Sequence, residues 1–194
     1  MTCPLTCIIV KRMLNHGASE TKFHALVLDQ IRNEFTAAQQ YIAIAVHFDG
    51  ADLPQLAAHF YEQAVEERNH AMMLVRHLLD RDVDVEIPGT DGVRNHFESP
   101  REALSLALDQ ERTVTEQITA MAAAARDEHD YLGEQFMQWF LKEQVEEVAS
   151  MTTLLRIADR AGANLFDLED FVARELNTVA AVDPTAPTAA GGNL

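Results

Sequence analysis

Residues 60–74 read Phe60-Tyr61-Glu62-Gln63-Ala64-Val65-Glu66-Glu67-Arg68-Asn69-His70-Ala71-Met72-Met73-Leu74, and one face of this stretch decides the fold. Phe60, Ala64, Ala71 and Leu74 recur at the three- and four-residue spacing of a single helix face. Glu67 falls on that same stripe, where an apolar residue belongs, and His70 follows it one turn later on the same face. Traced outward, the stripe runs from Leu56 to Leu78. Asp52, with Gln55 three residues on, is the expected cap, and the helix should end near Arg81.

Three more segments carry the same pattern. Phe23, Leu26, Gln30, Glu34, Ala37, Tyr41, Ala45 and Phe48 mark a helix from Glu20 to Phe48, stopped by Asp49-Gly50. Leu104, Leu108, Glu111, Val114, Ile118, Met121 and Ala125 mark another. It opens at Ser99-Pro100-Arg101-Glu102, with Ser99 as cap and Pro100 at the first helical position. Leu132, Phe136, Phe140, Gln144, Glu147, Met151, Leu154 and Ala158 mark the last long helix, stopped by Gly162, and Asn164 can cap a short one through Leu176. Each long helix spans about 27–31 residues, or ~40–45 Å. Short turns pair the first helix with the second and the third with the fourth. The connector Asp82–Ser99 can traverse the whole bundle. The expectation is an all-α four-helix bundle with one long crossover and a short fifth, C-terminal helix.

A chain of 194 residues is one domain of this kind. Residues 1–18 are expected to be a peripheral, disordered leader, 19–176 the bundle with its fifth helix, and 177–194 a disordered tail rich in Ala, Pro, Thr and Gly. Cys3–Val10 is mildly apolar, but Lys11 and Arg12 follow it rather than precede it, the reverse of a signal peptide. Met13 is an alternative start. No apolar run reaches the ~20 residues that span a bilayer. Against 15 Lys and Arg stand 31 Asp and Glu, a net charge of −16 that disfavours nucleic acid and favours cations. Cys3 and Cys7 are the only cysteines, so the body of the protein holds neither a disulfide framework nor a thiolate metal site. A reducing cytoplasm is the expected compartment.

Glu34, Glu67, Glu111, Gln144 and Glu147 therefore all occupy core positions, each near the midpoint of its helix. Helix midpoints of an antiparallel bundle meet at one level, so these side chains should converge, with His70 beside Glu67. Four carboxylates cannot share a dry core without cations between them. Hard oxygen ligands with a single imidazole suit iron or manganese.

At this point the sequence resembles the non-haem bacterial ferritins from Thr21 to about Glu175. The matching strings are Asn33-Glu34-Phe35, Glu66-Glu67-Arg68-Asn69-His70-Ala71, Asp109-Gln110-Glu111 and Glu143-Gln144-Val145-Glu146-Glu147. Glu67-Arg68-Asn69-His70 has the Glu-x-x-His spacing of ferritin-like di-iron bundles. The resemblance implies a di-iron ferroxidase centre. Glu34, Glu67 and His70 would hold the first iron. Glu67 would bridge to a second, held also by Glu111 and Glu147, with Gln144 and Tyr41 beside the pair. Glu66, Glu143 and Glu146 match an additional, weaker iron site. The implied assembly is a 24-subunit homo-oligomeric shell that stores ferric mineral, with Fe²⁺ and O₂ or H₂O₂ as reactants and neither nucleic acid nor membrane as partner.

Haem is not expected, because Arg68 stands where the haem-bearing bacterioferritins place their methionine, and the fourth helix lacks a second Glu-x-x-His. Two other functions stay open: a soluble di-iron oxidase or peroxidase, and a non-catalytic, mineral-nucleating shell subunit. His24, His47, His59, His77, His96 and His129 read as surface or packing residues. Trp139 reads as a core residue that could also donate electrons to an oxidising centre. The acids Asp127, Glu128, Asp130 and Glu134 crowd the turn before the fourth helix, either as solvated turn residues or as the lining of an entry channel.

Overall fold

The computed structural model describes residues 21–177 and 183–194, and the leader lies outside the described residues. Five helices follow in order: α1 Lys22–Asp49, α2 Pro54–Asp80, α3 Pro100–Asp127, α4 Tyr131–Ala161 and α5 Leu165–Glu175. α1 packs along α2 and α3 along α4, α1 also meets α3, and α5 touches both α2 and α4. This is the four-helix bundle with a short fifth helix that the periodicity implies. The crossover lies along α1, where Gln40 clamps Arg94: its Nε2 donates to the Arg94 carbonyl and its Oε1 accepts the Arg94 amide, both at 2.8 Å.

Local chemistry sets the helix ends, and twice it differs from the expectation. Asp52 does not cap α2, because it sits in the left-handed region (φ 57°) of the turn. The backbone amides of Gln55 and Leu56, which have no partner within the helix, donate instead to the two carboxylate oxygens of Glu169 on α5, each at 2.9 Å. A negative group at a helix start satisfies orphan donors and complements the dipole, so α5 holds α2 in place. Asn164 precedes α5, but its amide donates to Asp167 Oδ2 at 2.8 Å and no side-chain cap forms. Ser99 and Gly162 behave as expected: Ser99 accepts the Glu102 amide, and Gly162 ends α4 at φ 56°.

Two of the turn acids are structural. Glu128 accepts the amides of Lys22 (2.7 Å) and Phe23 (3.1 Å), capping α1 from across the bundle. Asp130 caps α4 through the Gly133 amide at 3.0 Å and pairs with Arg81 at 2.6 Å. Gly133 lies so close to its neighbours that a Cβ there would fall 2.5 Å from Phe23 and 2.7 Å from the Asp130 carboxylate. Gly133→Ala is expected to destabilise the protein by about 1–3 kcal/mol, through overpacking and loss of the cap. A denaturant titration with unchanged slope and lowered midpoint would show it; an unchanged midpoint would refute it.

The described part of the tail, residues 183–194, departs from the expectation of disorder. It lies against α2 and α4: Ala189 is buried, the Ala190 amide donates to the Met72 carbonyl at 3.0 Å, and the Leu194 amide donates to Asn69 Oδ1 at 3.2 Å. Ala186, Ala189 and Ala190 are small enough to let the backbone lie flat on the bundle. A composition that reads as low complexity is here a packing adaptation.

Candidate metal centre

The bundle has two apolar cores with a polar layer between them. One gathers Tyr41, Ile44, Phe48, Phe60, Leu104 and Leu154 with α5 residues Leu168 and Val172. The other gathers Phe23, Ile31, Leu74, Ile118, Met137 and Phe140. Glu34, Glu67, His70, Glu111, Gln144 and Glu147 are all buried in the middle of their helices. They lie where ridge positions of α1–α4 face inward, so the packing that builds the two cores also brings these side chains together.

Glu34, Glu67 and His70 offer ligand atoms that all lie within 4.8 Å of one another. His70 Nδ1 is 3.5 Å from Glu67 Oε2. Glu34 Oε1 accepts a hydrogen bond from Gln30 Nε2 at 3.0 Å, and Gln30 is steadied in turn by Asn33 at 3.2 Å. On the other side Tyr41 donates its hydroxyl proton to Glu111, and Gln144 Nε2 donates to Glu111 Oε2 at 3.4 Å. The Thr115 hydroxyl lies 2.9 Å from the side-chain amide of Gln144 and 2.8 Å from the Glu111 backbone carbonyl, which ties α3 and α4 together beside the site. The Oε2 atoms of Glu34 and Glu67 have no hydrogen-bond partner. Buried carboxyl oxygens that no other residue's donor reaches are what a cation site requires.

Without an ion the charges oppose one another. Desolvation pushes the carboxyls of Glu34, Glu67 and Glu147 well above the usual range, and repulsion between neighbours adds to it: Glu67 acts on Glu34, and Glu111 on Glu67 and Glu147. Burial raises Glu111 to about 7 even though Tyr41 and Gln144 favour its charged form. Burial and the same carboxylates hold the Tyr41 phenol well above its ordinary value. A cluster so costly when empty is set up to bind multivalent cations.

Of the outlying acids, Glu66 and Glu146 are exposed and Glu143 is half-buried. Gln63 donates to Glu66, and Lys142 stands 3.7 Å from Glu146. Glu66 and Glu143 each add to the repulsion at Glu147, so both lie within electrostatic reach of the buried cluster. Sequence reasoning passed over Gln30, Thr115 and Gln63. The signal for Gln30 was present: a polar residue on the core stripe one turn before Glu34.

Residues 24–161 match the family described as the ferritin-like domain. The chain belongs to the ferritin family. As a ferritin it is an iron-storage protein. It is 76% identical to the ferritin BfrB of Mycolicibacterium smegmatis over 182 residues, which is 94% of this chain and all of that one. It is 71% identical, with the same coverage, to the ferritin BfrB of Mycobacterium tuberculosis, which also carries the name bacterioferritin BfrB. A bacterial non-heme ferritin of Staphylococcus aureus is 34% identical over 69% of this chain and 81% of its own length. The open pore ferritin of the archaeon Archaeoglobus fulgidus superposes with a TM-score of 0.77 at 26% identity, covering 80% of this chain and 96% of that one. All of the buried polar layer lies within the ferritin-like span.

Proposed function

We propose that this ferritin oxidises Fe²⁺ at the buried layer and deposits ferric mineral inside a cytoplasmic, hollow, 24-subunit shell. The observation that carries the reading is the set of unpartnered carboxylate oxygens of Glu34 and Glu67 beside His70. Glu34, Glu67 and His70 hold the first iron, and Glu67, Glu111 and Glu147 the second. Gln144 and Tyr41 orient Glu111. Iron is the substrate. Carboxylates favour Fe³⁺, the harder ion, so the ligand set stabilises the product of electron transfer to O₂ or H₂O₂.

The reading is haem-free. A haem iron takes an axial Met, His, Cys or Tyr. Arg68 borders an apolar groove of about 610 Å³ between α1 and α2, and no Met, His or Cys lines it. Tyr61, the one candidate there, turns its hydroxyl toward Asp49 at 3.4 Å. The apolar residues Ile42, Tyr61, Val65 and Ile87 are exposed around that groove, which suits burial against another subunit. Among the described residues no helix is long and apolar enough to cross a membrane.

Gel filtration with Fe²⁺ titration tests the whole reading. A particle of roughly 24 subunits that rapidly oxidises about two Fe²⁺ per subunit is expected. A monomer or dimer with the same activity would instead favour a soluble di-iron oxidase. The outer acids carry a separate expectation. Replacing Glu66, Glu143 and Glu146 with Gln should leave the first oxidation intact and change later turnover and transfer to mineral. Repeated iron additions with the parent's kinetics and iron-to-oxygen ratio would remove any role for a third site.

A further inference from the structure

The chain has a single tryptophan, Trp139. Its ring meets His70 edge to face, centroids 5.7 Å apart at 72°. On its other side the indole Nε1–H donates to Asp183 Oδ2 of the tail at 3.0 Å. Asp183 is held there by Lys142 at 3.7 Å and by the amide and hydroxyl of Thr185 at 2.8 and 2.6 Å. The tail thus brings a fixed carboxylate to the one oxidisable indole that touches the iron site.

We propose that Trp139 is a one-electron reserve for the centre and that Asp183 is its proton acceptor. The proposal rests on the ferroxidase reading. The need arises when peroxide meets a site holding one Fe²⁺: the iron supplies one electron, and cleaving the O–O bond to two waters takes two. Trp139 supplies the second. Its electron leaves past His70 while its Nε1 proton crosses the hydrogen bond to Asp183. H₂O₂, one Fe²⁺, the indole, the Asp183 carboxylate and two solvent protons give two waters, Fe³⁺, a neutral tryptophanyl radical and protonated Asp183. A later Fe²⁺ reduces the radical as Asp183 returns the proton. The net reaction is then the oxidation of two Fe²⁺ by one H₂O₂ with two protons, and no hydroxyl radical is released. A carboxylate on the indole N–H favours this step because the proton has somewhere to go as the electron leaves.

The test uses the full-length assembled protein, loaded without oxygen with one Fe²⁺ per subunit, given one equivalent of H₂O₂ and freeze-quenched for electron paramagnetic resonance. A radical whose hyperfine structure changes on ring-deuteration of tryptophan is expected, and Trp139→Phe should remove it. Asp183→Asn keeps a hydrogen-bond acceptor but no base. It should lower the neutral radical at least about tenfold and raise spin-trapped hydroxyl radical, while Asp183→Glu should restore the parent's signal. Two outcomes overturn the proposal: no tryptophanyl radical in a parent preparation that rapidly oxidises two Fe²⁺ per subunit, or an undiminished neutral radical in Asp183→Asn. If the parent fails to oxidise Fe²⁺ at all, the ferroxidase reading itself falls, and the two failures are told apart.

Discussion

Glu67→Ala is expected to abolish the fast phase of Fe²⁺ oxidation, slowing it by about 100-fold or more. Changes to residues that only support a metal ligand commonly cost 10–100-fold, and Glu67 is a proposed ligand to both ions. It sits at the centre of the layer, with an unpartnered oxygen, His70 at 3.5 Å and the charges of Glu111 and Glu147 within reach. Glu111→Ala should chiefly weaken the second ion and leave single-ion binding in place. Stopped-flow absorbance after addition of about two Fe²⁺ per subunit separates the two variants. The same residue should reveal a trade of stability for function. Glu67→Gln removes a carboxyl that is costly to bury, whether charged or forced to take up a proton, but keeps the shape, so it should raise the melting temperature of the ion-free protein while ending fast oxidation. An unchanged fast phase in Glu67→Ala would sink the site assignment.

The second large effect is on stability, read with a redox-inert ion such as Zn²⁺. In the ion-free protein the carboxyls of Glu34, Glu67, Glu111 and Glu147 lie above their unfolded values, so the folded state holds more protons than the unfolded state. Stability therefore falls as pH rises from the ordinary carboxylate range near 4.5 through the raised values, with Glu111 completing its part at about 7. A bound cation replaces those protons, so its stabilisation should grow over the same window. At a hundredfold excess over the dissociation constant, binding contributes about 2.7 kcal/mol. For a domain of this size that is roughly a 5–10 °C rise in melting temperature. Scanning calorimetry at pH 7.5 should show it, with a smaller rise at pH 5.5 where protons compete. An equal rise at both pH values would mean that the ion binds outside the buried layer.

The architecture was legible in the sequence because the signals were redundant. Each long helix carries a stripe several turns long, and a charged residue interrupts each stripe near its midpoint, so an error of two residues at an end displaces nothing. Glu34, Glu67 and His70 could be placed together for that reason. What escaped was long-range pairing between short polar groups. Nothing local marks Glu169 as the partner of the α2 amides, or Glu128 as the cap of α1, because both contacts join residues more than a hundred positions apart. The tail was misread because low hydrophobicity and small side chains usually mean too little burial to offset chain entropy. Ala189 and Ala190 escape that rule by docking onto helices that are already rigid.

The two apolar cores flank the carboxylate layer and hold its helices together without an ion between them. The work of arranging the ligands is thus done during folding, so an ion arriving there meets open coordination and an ion leaving does not let the walls fall in. Such a site behaves as a station on a through route rather than a terminus. If Fe²⁺ is oxidised there as proposed, the product can depart without unfolding anything behind it.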